Sequence, residues 1–164
     1  MEIDIRSFTP DMTDAVGQLI IKIQRDEFEL PLTLDDQPDL DDIPGVYQKN
    51  NGNFWVAHTR DGKVIGTLAL VDLGNGHGAL MKMFVASMFR GSRIGIGNRL
   101  LETLVTHARN NGFSDVCLGT TSVMPRAHAF YEKNDFQEID IDDLPEGFPV
   151  MKVDTKFYRL DVTS

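Results

Sequence analysis

Between a predicted strand and a predicted helix, the chain reads Phe89-Arg90-Gly91-Ser92-Arg93-Ile94-Gly95-Ile96-Gly97-Asn98-Arg99-Leu100-Leu101. Glycines let the backbone approach a ligand closely, and the N–H groups that begin a helix favour an anion. Residues 84–101 hold three arginines and no acidic residue, although the whole chain has a net charge of −9. This contrast predicts a loop that binds phosphate or pyrophosphate. The alternative is a glycine-containing loop that only precedes a helix.

Two common phosphate-binding motifs do not fit this stretch. A P-loop is excluded because no Gly-Lys-Ser/Thr follows the glycines. The dinucleotide fingerprint is weak because Leu100 stands where its third glycine is required, after Gly95 and Gly97. A nucleotide-binding α/β protein is therefore a disfavoured interpretation.

Hydrophobic periodicity and turn residues predict the elements around the loop. Strands are expected at residues 2–8, 53–59, 63–72, 80–85, 115–119, 136–141 and 150–162, and helices at residues 11–25, 95–110 and 125–134, with a short one at 39–47. This order predicts the α/β (mixed α+β) class, as one domain over residues 1–164. The sheet is expected to be mixed, with helices on both of its faces.

Composition narrows the class of protein and its partners. At 41% hydrophobic and 25% charged residues, a chain of 164 residues can bury a core as a soluble globular protein. The acidic balance disfavours nucleic acid and anionic membranes as partners. No apolar run is long enough to span a bilayer, and the N-terminus shows no secretory signal. With Cys117 as the single cysteine, we expect a cytoplasmic protein without a cysteine metal site.

Residues 80–136 resemble the core of the GCN5-related N-acetyltransferase (GNAT) superfamily. The resemblance rests on three motifs: Met83-Phe84-Val85 at a strand end, the glycine loop that opens a helix, and Tyr131-Glu132-Lys133-Asn134-Asp135-Phe136 on a short helix. With the first strand and helix and the final hairpin, it extends over nearly the whole chain. It implies a central mixed, mostly antiparallel sheet of six to seven strands flanked by about four helices.

Three positions depart from the family pattern. Arg90 stands five residues before Gly95, where the common spacing is three. Met124 occupies a position where many members have an asparagine that touches the cofactor. Asp135 replaces the usual glycine, which affects a turn and not the chemistry.

The resemblance implies acetyl-coenzyme A as the cofactor. The backbone at Met83, Phe84 and Val85 would pair with the pantetheine amides like an added strand. Loop amides would hold the pyrophosphate, with Arg90 and Arg93 as supporting cations. The residues supplying those amides are Gly91, Ser92, Gly95, Ile96, Gly97 and Asn98.

Tyr131 matches the family tyrosine that protonates the leaving thiolate. A phenol with a pKa near ~10 is protonated at neutral pH and can share its proton with sulfur. The alternative is a core tyrosine on a short helix.

The general base is unassigned, because Ala79 and Leu80 stand where many relatives carry a glutamate. A water relay or a carboxylate of the acidic segments would then serve as the base. His128 is either a contact of the cofactor or acceptor or a packed histidine, and Cys117 is expected in the core.

Two acidic segments flank the acceptor region that the resemblance implies. Residues 26–44 contain eight acidic residues and no lysine or arginine, and residues 138–146 contain five more. Negative walls concentrate cations, so we expect a cationic amine such as a polyamine, an aminoglycoside-like compound or a basic peptide terminus. The alternative is a solvated acidic surface. The candidate acceptor-binding residues are Phe28, Glu29, Asp39, Tyr47 and Thr120.

Together these features indicate an N-acetyltransferase that moves acetyl from acetyl-CoA to a primary amine of a small molecule or peptide, by direct transfer in a ternary complex. The alternative is a non-catalytic acyl-CoA-binding sensor or interaction module of the same fold. The missing glutamate and Met124 favour that alternative, whereas Tyr131 argues against it. The family also makes a homodimer an expectation.

Overall fold

The computed structural model describes residues 2–29, 32–91, 94–121 and 125–163, with the side chains of Phe28 and Pro125 excepted. Ser92, Arg93 and Met124, singled out above, lie outside the described residues. The strands are β1 (Ile3–Ser7), β2 (Asn53–Thr59), β3 (Val64–Gly74), β4 (His77–Val85), β5 (Asp115–Thr120), β6 (Gln137–Ile139) and β7 (Lys156–Asp161). The helices are α1 (Thr13–Phe28), α2 (Ile43–Val46), α3 (Ile96–Asn110) and α4 (Pro125–Lys133).

The strands form one sheet in the order β1-β2-β3-β4-β5-β7-β6. Pairing is antiparallel for β1 with β2, β2 with β3, β5 with β7 and β6 with β7, and parallel for β4 with β5. The parallel ladder joins His77–Ala79 to Asp115–Cys117. The predicted mixed, mostly antiparallel sheet of six to seven strands is confirmed.

The residues group into two compact units, which are Met1–Val71 with Met81–Leu104 and Asp72–Leu80 with Val105–Ser164. In the first unit, Val16 and Ile20 of α1 share a buried cluster with Phe54 and Val56 of β2. A Cβ at Gly66 of β3 would lie 3.2 Å from Leu100 Cδ1 of α3. Gly66 pairs with Ala57, and the side chains of Ala57 and its neighbour Val56 point to opposite faces of the sheet. The Cβ position of Gly66 is therefore on the face opposite to the Val56 side chain. This unit therefore carries helices on both faces of its strands, as predicted.

In the second unit, β7 lies between β5 and β6. Helix α4 packs on β7 through Tyr131 and Tyr158, whose ring centroids are 6.0 Å apart. After α4 the chain turns at Asp135 with φ of 73°, a left-handed conformation that costs a glycine least. The turn therefore accounts for the glycine that the family prefers at this position.

The predicted strand at 150–162 is wrong in its first half, because β7 begins only at Lys156. The Asp154 carboxylate accepts a hydrogen bond from Met151 N at 2.9 Å, and Asp154 N donates to Met151 O at 3.0 Å. This reciprocal pair forms a turn over residues 151–154. Alternating apolar and polar residues alone therefore misidentified a turn as a strand.

Side-chain caps also shorten two other predicted elements. The strand predicted at 136–141 ends at Ile139, because Asp140 and Asp143 form a capping box around a single 3-10 turn. The helix predicted at 39–47 is divided into the 3-10 turn Pro38–Asp41 and helix α2, since Asp42 caps α2 by accepting Gly45 N at 3.1 Å. In contrast, β4 begins three residues before its predicted start, after a turn of only Asn75 and Gly76.

Candidate active site

The second half of β4 extends beyond its ladder with β5. That ladder ends at Ala79, whereas β4 continues to Val85. Met83, Phe84 and Val85 are half-buried, and the Phe84 side chain packs against the core of the first unit. The residues that the resemblance assigns to pantetheine therefore lie in this extension of β4.

A bend inside β4 directs a lysine into the first unit. Lys82 has a φ of 53°, which is left-handed and uncommon for a residue with a side chain. Its carbonyl accepts the Thr67 hydroxyl at 2.8 Å. Its Nζ lies 3.1 Å from Gln37 Oε1 and 3.3 Å from Asp39 Oδ2, with only 10% of the side chain exposed. A buried cation is thus held next to a carboxylate predicted to bind the acceptor.

The same carboxylate contacts a second predicted acceptor residue. The Tyr47 hydroxyl donates to Asp39 Oδ2 at 2.6 Å. Burial, together with the negative charge of Asp39, raises the pKa of Tyr47, so this phenol remains a donor. The structure thus brings Asp39 and Tyr47 together and adds Lys82, which the sequence analysis missed. The feature of the sequence that could have identified Lys82 is that it is the single charged residue in the otherwise apolar stretch 80–85.

The glycine loop forms the start of α3. Gly91 and Gly95 have φ values of 113° and 70°, which only glycine adopts readily. Gly95 N donates to Gly91 O at 3.1 Å, and Arg99 N donates to Gly95 O at 2.9 Å as the helix begins at Ile96. The first turn of α3 contains no acidic residue, so no carboxylate of that turn offsets the positive end of the helix dipole. This geometry fits a pyrophosphate.

Arg90 and Arg99, the two arginines near the loop that the structure describes, both contact protein groups. The Arg90 guanidinium forms a bidentate ion pair with the Glu27 carboxylate of α1, in which Nη2 lies 2.7 Å from Oε2 and Nη1 contacts Oε1. Its Nε donates to Val85 O at 2.8 Å. Arg99 Nη2 donates to Ile3 O at 2.9 Å. Arg90 therefore ties the loop to α1 and to the end of β4, and Glu27 offsets its charge.

Gly97 lies in the first turn of α3, where the sequence analysis predicts that the backbone approaches a pyrophosphate and a side chain would therefore interfere. We expect Gly97→Val to raise the Kd for acetyl-CoA by about tenfold or more, because lost phosphate hydrogen bonds cost about 1.5–3 kcal/mol. Calorimetric titration measures this, and Thr103→Val on the same helix is the matched control. An unchanged Kd in a folded Gly97→Val protein would remove the loop from the site.

Tyr131 occupies an aromatic cluster in the second unit. Its ring centroid lies 5.6 Å from that of Phe130 and 5.4 Å from that of Phe136, and 8% of the residue is exposed. Burial raises the pKa of its hydroxyl. The phenol is therefore fully protonated at neutral pH, as a general acid must be.

Three further candidates have structural roles in the second unit. His128 Nε2 lies 2.8 Å from Thr121 O, and this contact ties α4 to the end of β5. Thr120 O accepts Thr155 N at 2.9 Å. Cys117 is fully buried, and burial raises the pKa of its thiol to about 12, so the thiol is a poor nucleophile at neutral pH.

Half of the acidic residues in segment 26–44 have defined structural partners. Asp36 accepts Thr33 N at 2.9 Å, Asp42 caps α2, Asp39 pairs with Lys82, and Glu27 pairs with Arg90. The other four are exposed: Asp26, Glu29, Asp35 and Asp41. Asp36 and Asp42 are also exposed and, like these four, form no ion pair among the described residues. Any attraction of this segment for a cation therefore depends on six carboxylates, Glu29 being the one predicted to bind the acceptor.

No group of three or more histidine, cysteine or acidic side chains in the described ranges is placed to hold a metal ion. None of the helices described is long and apolar enough to span a membrane.

Residues 18–136 match the family model described as the acetyltransferase (GNAT) family. Over the full length, the fold is similar to a crystal structure of an acetyltransferase of the GNAT family from Staphylococcus aureus MU50. The TM-score is 0.92 and the identity 32%, with 98% of this chain and 99% of that chain covered.

Curated relatives share part of this sequence. Mouse probable N-acetyltransferase family 8 member 5 is 38% identical over 106 residues, which are 62% of this chain and 45% of the relative. Human N-acetylaspartate synthetase is 38% identical over 109 residues, 64% of this chain and 34% of that protein. The chain thus spans less than half the length of these two curated relatives.

Proposed function

Because this chain belongs to the GNAT acetyltransferase family, we propose that it is an N-acetyltransferase that uses acetyl-CoA. The observation that carries the proposal is the glycine loop at the start of α3, together with the extension of β4 that precedes it. In this proposal the amides of the loop hold the pyrophosphate, and Met83–Val85 hold the pantetheine. Acetyl passes directly from the thioester to a primary amine of a small molecule or peptide within a ternary complex.

We propose a cationic amine as the acceptor. The net charge of −9 and the six exposed carboxylates of segment 26–44 that form no ion pair among the described residues favour the approach of a cation. A competing candidate is an acceptor that carries a carboxylate. Lys82, buried beside Asp39 and Tyr47, supplies a cation that would pair with it, and one relative is named for N-acetylaspartate.

The test begins with calorimetric titrations of acetyl-CoA, coenzyme A and ATP. We expect micromolar binding of acetyl-CoA and no binding of ATP. Thiol release is then measured with spermidine, L-aspartate and glycinamide as acceptors. Faster turnover of spermidine supports the cationic acceptor, and faster turnover of L-aspartate contradicts it in favour of the carboxylate. Binding without turnover of any amine supports the acyl-CoA sensor instead, and ATP binding contradicts the cofactor assignment.

A further inference from the structure

The Arg90 side chain connects the glycine loop to two other elements of the first unit. Its guanidinium contacts both carboxylate oxygens of Glu27 in α1, and its Nε donates to Val85 O at 2.8 Å. Each of the three guanidinium nitrogens therefore has a protein oxygen as its partner. The Arg90 side chain is 27% exposed and that of Glu27 26%, so the pair is largely shielded from water. A bidentate pair of this kind fixes the geometry of both side chains.

The chain between β4 and the glycine loop forms a turn that this side chain closes. A single 3-10 turn occupies Ser87–Phe89, and Arg90 N lies 3.4 Å from Ser87 O. The shorter bond of 2.8 Å runs from Arg90 Nε to Val85 O, five residues back along the chain. This bond ties the start of the loop directly to the last residue of β4.

Arg90 stands between the two parts of the protein that the proposed function assigns to the cofactor. Val85 ends the segment Met83–Val85, which would hold the pantetheine, and Gly91 begins the loop that would hold the pyrophosphate. Because both groups belong to one molecule, the affinity for that molecule depends on how these two parts are spaced. A contact that fixes the spacing before the ligand arrives lowers the entropic cost of binding.

A direct contact of Arg90 with phosphate would have an electrostatic cost. To reach the phosphate, the guanidinium would have to leave the Glu27 carboxylate. That carboxylate would then be unpaired within reach of a second anion, and like charges repel. Arg90 also stands five residues before Gly95, two more than the common family spacing, which sets it apart from the amides at the start of α3. Both observations favour a role at the end of β4.

We propose that Arg90 and Glu27 are positioning residues that set the affinity for acetyl-CoA by fixing the glycine loop to the end of β4. This role rests on the function proposed above, in which the loop amides hold the pyrophosphate. Arg90 stays paired with Glu27 when the cofactor is bound. Glu27, an acidic residue of α1, thus favours the binding of an anion that it does not contact.

The positioning role and the phosphate-contact role predict opposite effects of Glu27→Gln. Glutamine keeps the shape of the side chain but loses the charge, so Arg90 is held less firmly. We expect the Kd for acetyl-CoA to rise about fivefold, because a shielded contact with a charged group is weakened. If Arg90 contacted the phosphate instead, the Kd would fall, since Glu27 would no longer compete for the guanidinium. Calorimetric titration well below the melting temperature measures the Kd.

Asp26→Asn is the matched control for Glu27→Gln. Asp26 is the exposed neighbour of Glu27 in α1, and this change also removes one negative charge. Any general effect of net charge on the approach of an anionic ligand is therefore the same in both variants. The Kd for acetyl-CoA should stay within about twofold of the native value in Asp26→Asn, because exposed charges are screened by salt.

Arg90→Lys tests the role independently. Lysine keeps the positive charge and binds phosphate well, but its single ammonium cannot replace the fork that joins Glu27 to Val85 O. We expect the Kd for acetyl-CoA to rise about tenfold. Arg99→Lys, at the arginine that donates to Ile3 O, is the control and should leave the Kd within about twofold. A role in stability alone would lower the melting temperature and leave the Kd below that temperature unchanged.

The outcomes separate this role from the proposed function. A Kd for Glu27→Gln equal to or below the native value would overturn the positioning role and leave the acetyl-CoA site in place. Native affinity in Arg90→Lys would do the same, so the test stands even if one of the two variants does not fold. Absence of acetyl-CoA binding by the native protein would overturn the proposed function, and this role with it.

Discussion

Replacing Tyr131 with phenylalanine is expected to lower kcat about a thousandfold while leaving the Kd for acetyl-CoA within about twofold. Loss of a general acid typically costs about 10²–10⁴ in rate, because the thiolate must then leave without a proton. Phenylalanine keeps the ring contacts with Phe130, Phe136 and Tyr158. The change therefore removes the proton donor and preserves the packing. Thiol release at saturating acetyl-CoA measures it.

The pH profile gives a second readout of Tyr131. A general acid loses activity when the pH exceeds its pKa, and burial raises that of Tyr131 above its usual value. The native protein should therefore show no alkaline loss of activity below about pH 10 from this group. A loss of activity near neutral pH that Tyr131→Phe abolishes would contradict the raised pKa.

Tyr158 provides the matched control for this variant. It is also a buried tyrosine of the second unit, and its hydroxyl donates to Glu132 Oε2 at 2.6 Å. Tyr158→Phe should lower stability by about 1 kcal/mol, the usual contribution of one hydrogen bond, with little effect on kcat. If both variants lose the same activity, Tyr131 contributes through packing and is not the acid.

The order of elements was predictable because it depends on local signals. Apolar spacing and turn residues gave β2 its bounds, Asn53–Thr59, and placed α3 and β5 within one residue of their ends. The error at residues 150–155 arose because the turn there depends on one side chain, Asp154, that returns to the backbone of Met151. Alternating hydrophobicity contains no information about that bond.

The candidate site was predictable only where a backbone motif defines it. The glycine loop and Tyr131 have sequence signatures, whereas the partners of Lys82 and Arg90 do not. Lys82 reaches Gln37 and Asp39, more than forty positions earlier in the chain, and Arg90 reaches Glu27 from still farther. The sequence analysis assigned Arg90 to the ligand and missed Lys82, and only tertiary structure shows which carboxylates are already compensated.

The largest effect on stability is expected at Asp115, where strands β4, β5 and β7 are joined. Its carboxylate is 7% exposed and lies 2.7 Å from His77 Nδ1 of β4 and 2.8 Å from Arg159 Nε of β7. His77↔Asp115 is also the first pair of the short β4–β5 ladder. One buried carboxylate thus links two neighbouring strands to β5.

Asp115→Ala should lower the free energy of unfolding by about 2 kcal/mol, because two hydrogen bonds to a charged group are lost but water can solvate the remaining partners, His77 at 36% and Arg159 at 46% exposure. The loss arises because two nitrogen donors lose their shared acceptor while the sheet around them remains buried. Urea unfolding measures it. Asp161→Ala, an exposed acid at the end of β7, is the control and should change the value by less than about 0.5 kcal/mol. Equal unfolding midpoints for Asp115→Ala and the native protein would show that the ladder, and not this carboxylate, joins the three strands.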